Sequence, residues 1–170
     1  MSVSIEGRVF VGNKMMFQAN FNKLKTIGES GWNLGLMYTS PINVSEEEMK
    51  LYKEGLGEDE TYHVDGKVYD FRSICNGLDV AEHEYETARE TYESTESIRH
   101  TKDFYSFNDE ERARYFDDVM ELKESFEEYE WEVDAFRYAR DVMLLASEIY
   151  DPDKYEYHDV EEVRLFLFYS

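Results

Sequence analysis

No glycine follows Gly77, and between that residue and Pro152 there is no proline either. Glycine and proline are the residues that most often end helices and open turns, so the stretch 78–151 has almost nothing to interrupt a helix. The chain before it holds all nine glycines and the other proline, Pro41. One part is punctuated and the other is not, which points to a mixed fold with its helices gathered in the second part.

Charge divides at nearly the same place. Residues 1–75 carry 11 acids and 8 bases, whereas residues 76–170 carry 28 acids and 10 bases, so −18 of the net charge of −21 sits on the helical part. Acidity of this kind can mark a disordered tail, but disorder comes with few aromatics and little to bury. Here 16% of the residues are aromatic and 42% hydrophobic, which fits a folded protein. No apolar run reaches the 18 or so residues that cross a bilayer, and Met1 to Val11 lacks the basic-then-apolar plan of a signal peptide. The single cysteine, Cys75, has no partner for a disulfide or a Cys-x-x-Cys site. A soluble, cytoplasmic protein is expected, one that repels nucleic acid and anionic membrane and attracts basic proteins.

Local patterns place the elements. Val3 to Val11 alternates and is rich in β-branched residues, as a strand requires, and Trp32 to Tyr38 reads the same way. Ser45 with Glu48 forms a capping box for a short helix that stops at Gly55. Asp65-Gly66 sits between two alternating runs and predicts a hairpin. Further on, Ala81, Tyr85, Ala88 and Tyr92 share one stripe of a helix over about 78–97. Asn108 and Glu111 cap a second helix that holds Phe116, Val119, Met120, Lys123 and Phe126. A third holds Val133, Phe136, Ala139, Met143, Ala146 and Tyr150, either joined to the second as one rod or broken from it near Tyr129-Glu130. Val163 to Tyr169 reads as a last strand returning to the sheet. The expected fold class is α+β: a β-rich scaffold over 1–75, made of a small antiparallel sheet and a short helix, and an acidic helical part over 76–170 with about three helices and a C-terminal strand. With no linker or repeat in sight, the two parts form one continuous unit.

The acids are ordered within the helices. Asp79, Glu82, Glu86, Glu90 and Glu93 follow at spacings that put five carboxylates on one face. Asp117, Glu121, Glu124, Glu128 and Glu132 repeat the arrangement on the next helix. Like charges so placed cost a helix about 0.2–0.5 kcal/mol per pair, a loss that interspersed lysines would turn into a gain. The ordinary reading is a solvated face. Two rows on the most acidic part of the chain invite a second one. Carboxylates recur every 5–6 Å or so along a helix, and duplex DNA presents a phosphate about every 3.4 Å per strand. Two rows side by side, joined by Glu84, Asp118, Glu127 and Glu130, would approach the charge density of nucleic acid. Helical phase predicts both rows on a common outer surface, with Tyr85, Tyr92, Phe116, Met120, Phe136 and Met143 turned to the core.

Size, acidity and tyrosine-studded acidic helices resemble the antirestriction and anti-CRISPR DNA mimics of phages and plasmids. Near the N-terminus, Arg8-Val-Phe-Val-Gly-Asn13 is similar to the opening strand of ArdA-type antirestriction proteins, and Gly31-Trp32 to the Gly-x-Trp element that follows it. The resemblance implies an inhibitor that occupies the cationic groove of a basic nucleic-acid-binding protein in a bacterial host. A restriction enzyme, a CRISPR effector, a polymerase or a nuclease would each qualify.

Other chemistry finds little support. His63, His83, His100 and His158 include no His-Glu-x-x-His pair, and no phosphate-binding glycine loop or nucleophile elbow occurs. Counting from Asp151, acids fall at positions 1, 3, 9 and 12 of a calcium loop, but Tyr155 and Glu156 stand where a ligand and the glycine of the bend are required. The expected protein is a binder and not an enzyme, without cofactor or metal, and a homodimer is compatible with its composition. The competing function class is an immunity protein or antitoxin, which binds one basic nuclease toxin through a few aromatic anchors. Ten of the fourteen tyrosines lie in the acidic part, and tyrosine suits either role.

Overall fold

The computed structural model of the protein describes residues 5–21, 38–56 and 66–169. Strand β1 (Ile5–Val11) turns at Gly12-Asn13 into β2 (Lys14–Asn20), with Gly12 at φ 57°, the left-handed region that a two-residue hairpin demands. Helix α1 (Glu46–Tyr52) follows, then β3 (Gly66–Asp70), helix α2 (Phe71–Glu96), a 3-10 turn and the short helix α3 (Lys102–Ser106). Helix α4 (Asp109–Ser147) leads to a small ribbon of β4 (Tyr150–Asp151) and β5 (Glu156–Tyr157), and the last strand is β6 (Val163–Tyr169).

The main sheet runs β2-β1-β6-β3 among the described residues, antiparallel throughout. The fold is α+β as expected, and the C-terminal strand does more than return to the sheet. It lies between β1 and β3, in register from Ile5–Tyr169 to Val11–Val163 on one side and from Gly66–Phe168 to Asp70–Arg164 on the other. A strand buried on both faces reads as a continuous apolar run, which is why Val163 to Phe168 shows so little alternation. The boundary expected at 75/76 falls inside α2, so scaffold and helical part share an element. No helix among the described residues is long and apolar enough to cross a membrane.

Alternation sorts the sheet's side chains into two cores. Ile5, Val9, Val11, Tyr69, Val163, Leu165 and Leu167 face α2 and α4 and pack with Ile74, Leu78, Phe136, Ala139 and Met143. Phe10, Val68, Phe166 and Phe168 face the other way and are covered by Tyr52 of α1. Ser45 caps α1 as expected, its hydroxyl accepting from the Glu48 N–H at 3.2 Å, but the box is not closed, because the Glu48 carboxylate bonds the Tyr52 hydroxyl instead. At the far end of α1 the buried Arg8 guanidinium donates to the Tyr52 carbonyl at 3.1 Å, the Glu54 carbonyl at 2.6 Å and the Gln18 side chain at 2.9 Å. It lies over the Phe168 ring as well. Burial lowers its pKa, yet the charge is held against carbonyls at a helix C-terminus, where a cation is favoured. Replacing Arg8 by methionine keeps the volume and orphans those two carbonyls, so a loss of about 3 kcal/mol is expected in urea unfolding.

Helix α2 starts earlier than its sequence stripe suggested, because Asp70 is its N-cap and accepts from the Ser73 N–H at 2.8 Å. Burial alone would raise the Asp70 carboxyl, but the bonds from Ser73 and the charge of Arg164 outweigh it and hold the group below the usual carboxylate range. A carboxyl depressed on folding stabilises above its unfolded pKa and stops doing so as pH falls through its folded value. Asp70→Ala is therefore expected to cost about 1 kcal/mol at pH 7. The difference from the parent should shrink below pH 4 or so, as paired urea titrations would measure. Asn108 and Glu111 form the expected reciprocal capping box at the start of α4, which is a single rod of 39 residues with no break at Tyr129-Glu130.

Some expectations lie outside the described residues: Gly31-Trp32, the strand from Trp32 except for Tyr38, and the first arm of the Asp65-Gly66 hairpin. The β1–β2 hairpin had a signal in Gly12-Asn13, but β2 is half exposed and its Lys-Met-Met-Phe-Gln run alternates poorly.

Candidate partner-binding surface

Helices α2 and α4 are antiparallel and joined by a heptad seam. On α2 the inward positions are Ile74, Leu78, Ala81, Tyr85, Ala88, Tyr92 and Thr95; on α4 they are Tyr115, Val119, Leu122, Phe126, Tyr129, Val133 and Phe136, in both cases stepping by four and three in turn. That spacing keeps a stripe facing one partner along two helices. The contacts agree: Tyr85 and Tyr92 meet Phe126 at ring distances of 6.0 and 5.2 Å, and the Tyr115 hydroxyl donates to the Thr95 and Glu96 carbonyls. At the root of the seam Gly77 lies so close to Phe136 that a Cβ would stand 2.3 Å from its ring. Beyond Val133 toward the tip, α4 buries only Glu132, so the outer part of the two helices projects as an arm whose described packing is the seam itself. Phe104, Phe107 and Tyr115 close the tip.

The seam corrects the expected core on α4. Phe136 and Met143 are fully buried, and Tyr85 and Tyr92 are half-buried, but Phe116 is 63% exposed and Met120 41%. The true stripe runs one position earlier, through Tyr115 and Val119. An arm of two helices has one inner side per helix, and Phe116 falls outside it.

It also separates the two acidic rows. Asp79, Glu86, Glu90 and Glu93 turn more than a quarter of a circle from the α2 seam and Glu82 somewhat less, all toward the flank where Glu82 meets Arg137 at 3.2 Å. Asp117, Glu121, Glu124 and Glu128 turn away from the α4 seam toward the opposite flank, where Asp118, Glu121, Leu122, Ser125 and Thr95 line an open groove of about 350 Å³. The rows therefore occupy opposite edges of the arm, not the common surface their phases suggested. The cause is phase: Asp79, Glu82, Glu86 and Glu93 each follow a seam residue by one position, whereas Glu121 and Glu128 each precede one, and in an antiparallel pair, where equal phases share a flank as Glu82 and Arg137 do, opposite phases fall on opposite flanks. Glu84 and Asp118 border the groove flank and Glu130 the other.

Glu132 leaves its row altogether. Two successive steps of four, from Glu124 through Glu128, rotate the row toward the seam, and Glu132 ends there 93% buried beside Tyr38. Burial first, then the charge of Glu132, raises the Tyr38 hydroxyl well above the ordinary tyrosine range, and that hydroxyl also bonds Tyr129. Glu132 thus belongs to the packing between the helices and the segment at Tyr38.

The rows differ in their neutralisation. In the α2 row, Glu82 pairs with Arg137 and Glu93 with Arg89 at 3.9 Å. In the α4 row, none of Asp117, Glu121, Glu124 and Glu128 makes an ion pair with a described residue, and all four are exposed. Four tyrosines of the acidic part, Tyr85, Tyr92, Tyr115 and Tyr129, are half-buried in the seam and so are not free to anchor a partner. Among the described residues, the tyrosines that face solvent are Tyr105 near the tip and Tyr150, Tyr155 and Tyr157 on the β4–β5 ribbon. Sequence reasoning tested that ribbon for calcium ligands and passed over its aromatics. Cys75 is half-buried in α2, and burial pushes its thiol up, away from nucleophilic character. Among the described residues no three histidine, cysteine or carboxylate side chains converge to hold a metal.

The chain matches no protein-family model, no curated protein and no solved structure.

Proposed function

We propose that this protein is a nucleic-acid-mimic inhibitor whose two-helix arm enters the cationic groove of a nucleic-acid-handling protein. Restriction and CRISPR effectors are the first targets to try. The observation that supports this most is the α4 row: four exposed carboxylates, without ion pairs among the described residues, on one edge of a rod. Two helices of about 10 Å each make that rod roughly 20 Å across, which is the width class of a duplex. A duplex also carries its charge on two sides. The separated rows therefore suit a groove that closes around its guest, and they argue against a flat cationic patch, which would meet one row only.

The test is phage plating. Unmodified phage is plated on hosts that carry single restriction or CRISPR defences, with and without the expressed protein. Relief of one defence by several orders of magnitude is expected, and duplex DNA should compete with the captured target. Relief of none of them, or a captured target that holds this protein unchanged under saturating DNA, would sink the reading.

A further inference from the structure

The turn of the β4–β5 ribbon holds a residue type that its backbone conformation does not favour. Tyr155 sits at φ 56°, a region that bulky side chains avoid because the Cβ crowds the backbone. Glycine or asparagine would occupy it more comfortably. Strain of this kind is commonly compensated by packing, but the Tyr155 side chain is 81% exposed and meets no described partner. Tyr157, two residues on, is 66% exposed. Opposite it in register stands Tyr150, the two rings edge to face at 5.4 Å. The turn between the strands is fixed by the Asp151 carboxylate, which accepts from the N–H groups of Asp153 at 2.9 Å and Lys154 at 3.3 Å. Three exposed tyrosines are thus presented on a turn that is already ordered, so little conformational freedom is left to lose on binding.

The surrounding charge selects the partner. Residues 148–162 hold seven acids against one lysine. Aromatic faces beside carboxylates suit a cation that is planar and weakly hydrated, and arginine fits that description better than lysine because its guanidinium stacks on rings and still donates to carboxylates. We propose that the β4–β5 ribbon docks an arginine-bearing segment of a partner protein, with Tyr155 and Tyr157 stacking on the guanidinium groups. The surface is separate from the arm: Glu128 lies 20 residues before Glu148 on the same rod, about 30 Å along its axis. It does not depend on the arm acting as a mimic.

The probes are nona-arginine and nona-lysine peptides, titrated calorimetrically into the full chain at about 0.3 M salt, where diffuse attraction to the arm is largely screened. The parent should bind nona-arginine at least tenfold more tightly than nona-lysine. In the Tyr155→Ala/Tyr157→Ala variant the ratio should fall to about one, with nona-lysine affinity unchanged. At that salt the Glu121→Gln/Glu124→Gln/Glu128→Gln variant should keep both affinities within about twofold of the parent and leave the ratio unchanged, so failure of the arm and failure of the ribbon read differently. Tyr155→Gly should raise the melting midpoint while reducing the arginine preference, Tyr157 keeping part of it. Equal affinities in the parent, no binding of either peptide, or a preference that survives the double variant would overturn the proposal. So would a lower melting midpoint for Tyr155→Gly, which would make Tyr155 a structural residue, or a ribbon-dependent dimer in sedimentation.

Discussion

Changing Asp117 to asparagine and Glu121, Glu124 and Glu128 to glutamine together is expected to abolish binding of the arm to its target while leaving the fold intact. The four carboxylates are exposed and make no ion pair with a described residue, so their removal costs the folded chain no contact seen among those residues. Three like-charge steps along the helix disappear instead, which should add roughly 1 kcal/mol of stability. For binding the sign reverses. If each carboxylate meets one lysine or arginine at about 0.5–1 kcal/mol, four losses amount to about 2–4 kcal/mol, or roughly 30- to 1000-fold in affinity. Any single substitution should fall within a few-fold of the parent. The matching α2 variant, Glu86, Glu90 and Glu93 to glutamine, separates two kinds of target: a groove that encloses the arm loses affinity for both variants, a one-sided site for one of them. Both are read by titration against the captured target, in parallel with thermal melting. A row variant that binds as tightly as the parent while melting higher would leave the acidity as a matter of solubility alone.

The second large effect is on stability. Phe136 is fully buried where the seam, the sheet and Gly77 meet, so Phe136→Ala is expected to cost about 3–5 kcal/mol. Gly77→Ala tests the same junction from the other side. Alanine is the better helix former by about 1 kcal/mol, and on an open helix the change would stabilise. Here the new methyl would stand 2.3 Å from a ring that has no room to retreat, so a net loss of about 1–3 kcal/mol is expected. Combining Gly77→Ala with Phe136→Leu should cost less than the two single changes added together, because leucine vacates the space the methyl needs. Urea unfolding of the four chains measures the coupling. A stabilised Gly77→Ala would mean that the helices do not approach as closely as described.

Much of the fold was legible because its signals are local. The Asn108–Glu111 box, the Ser45 cap, the apolar β6 and the breaker-free run behind α4 each depend on neighbours a few residues away. What the sequence hid depends on partners far along the chain. Nothing near Val163 says that β6 lies between β1 and β3. Nothing near Glu132 says that Tyr38 and the seam enclose it. Phe116 and Tyr115 are adjacent aromatics, and only the position of α2 decides which turns inward. The acidic rows were correctly found as rows, since that needs helical periodicity alone, but their relative placement needs the antiparallel seam, whose alternating four-and-three steps are in the sequence under a less conspicuous mixture of tyrosine, alanine and threonine.

The central place of β6 also orders events during synthesis. β1 and β3 leave the ribosome first, yet the strand that pairs with both emerges last of the described elements, after the whole of α4. The α2–α4 arm needs only contacts within its own length and can close as α4 is completed, whereas the sheet waits for a partner more than 90 residues beyond β3. During that interval β1 and β3 present unpaired edges of the kind that pair wrongly between chains. The completed arm is at that moment the most highly charged body attached to them. Closure of the sheet is therefore a late event, made by β6 on a helical arm that has already formed.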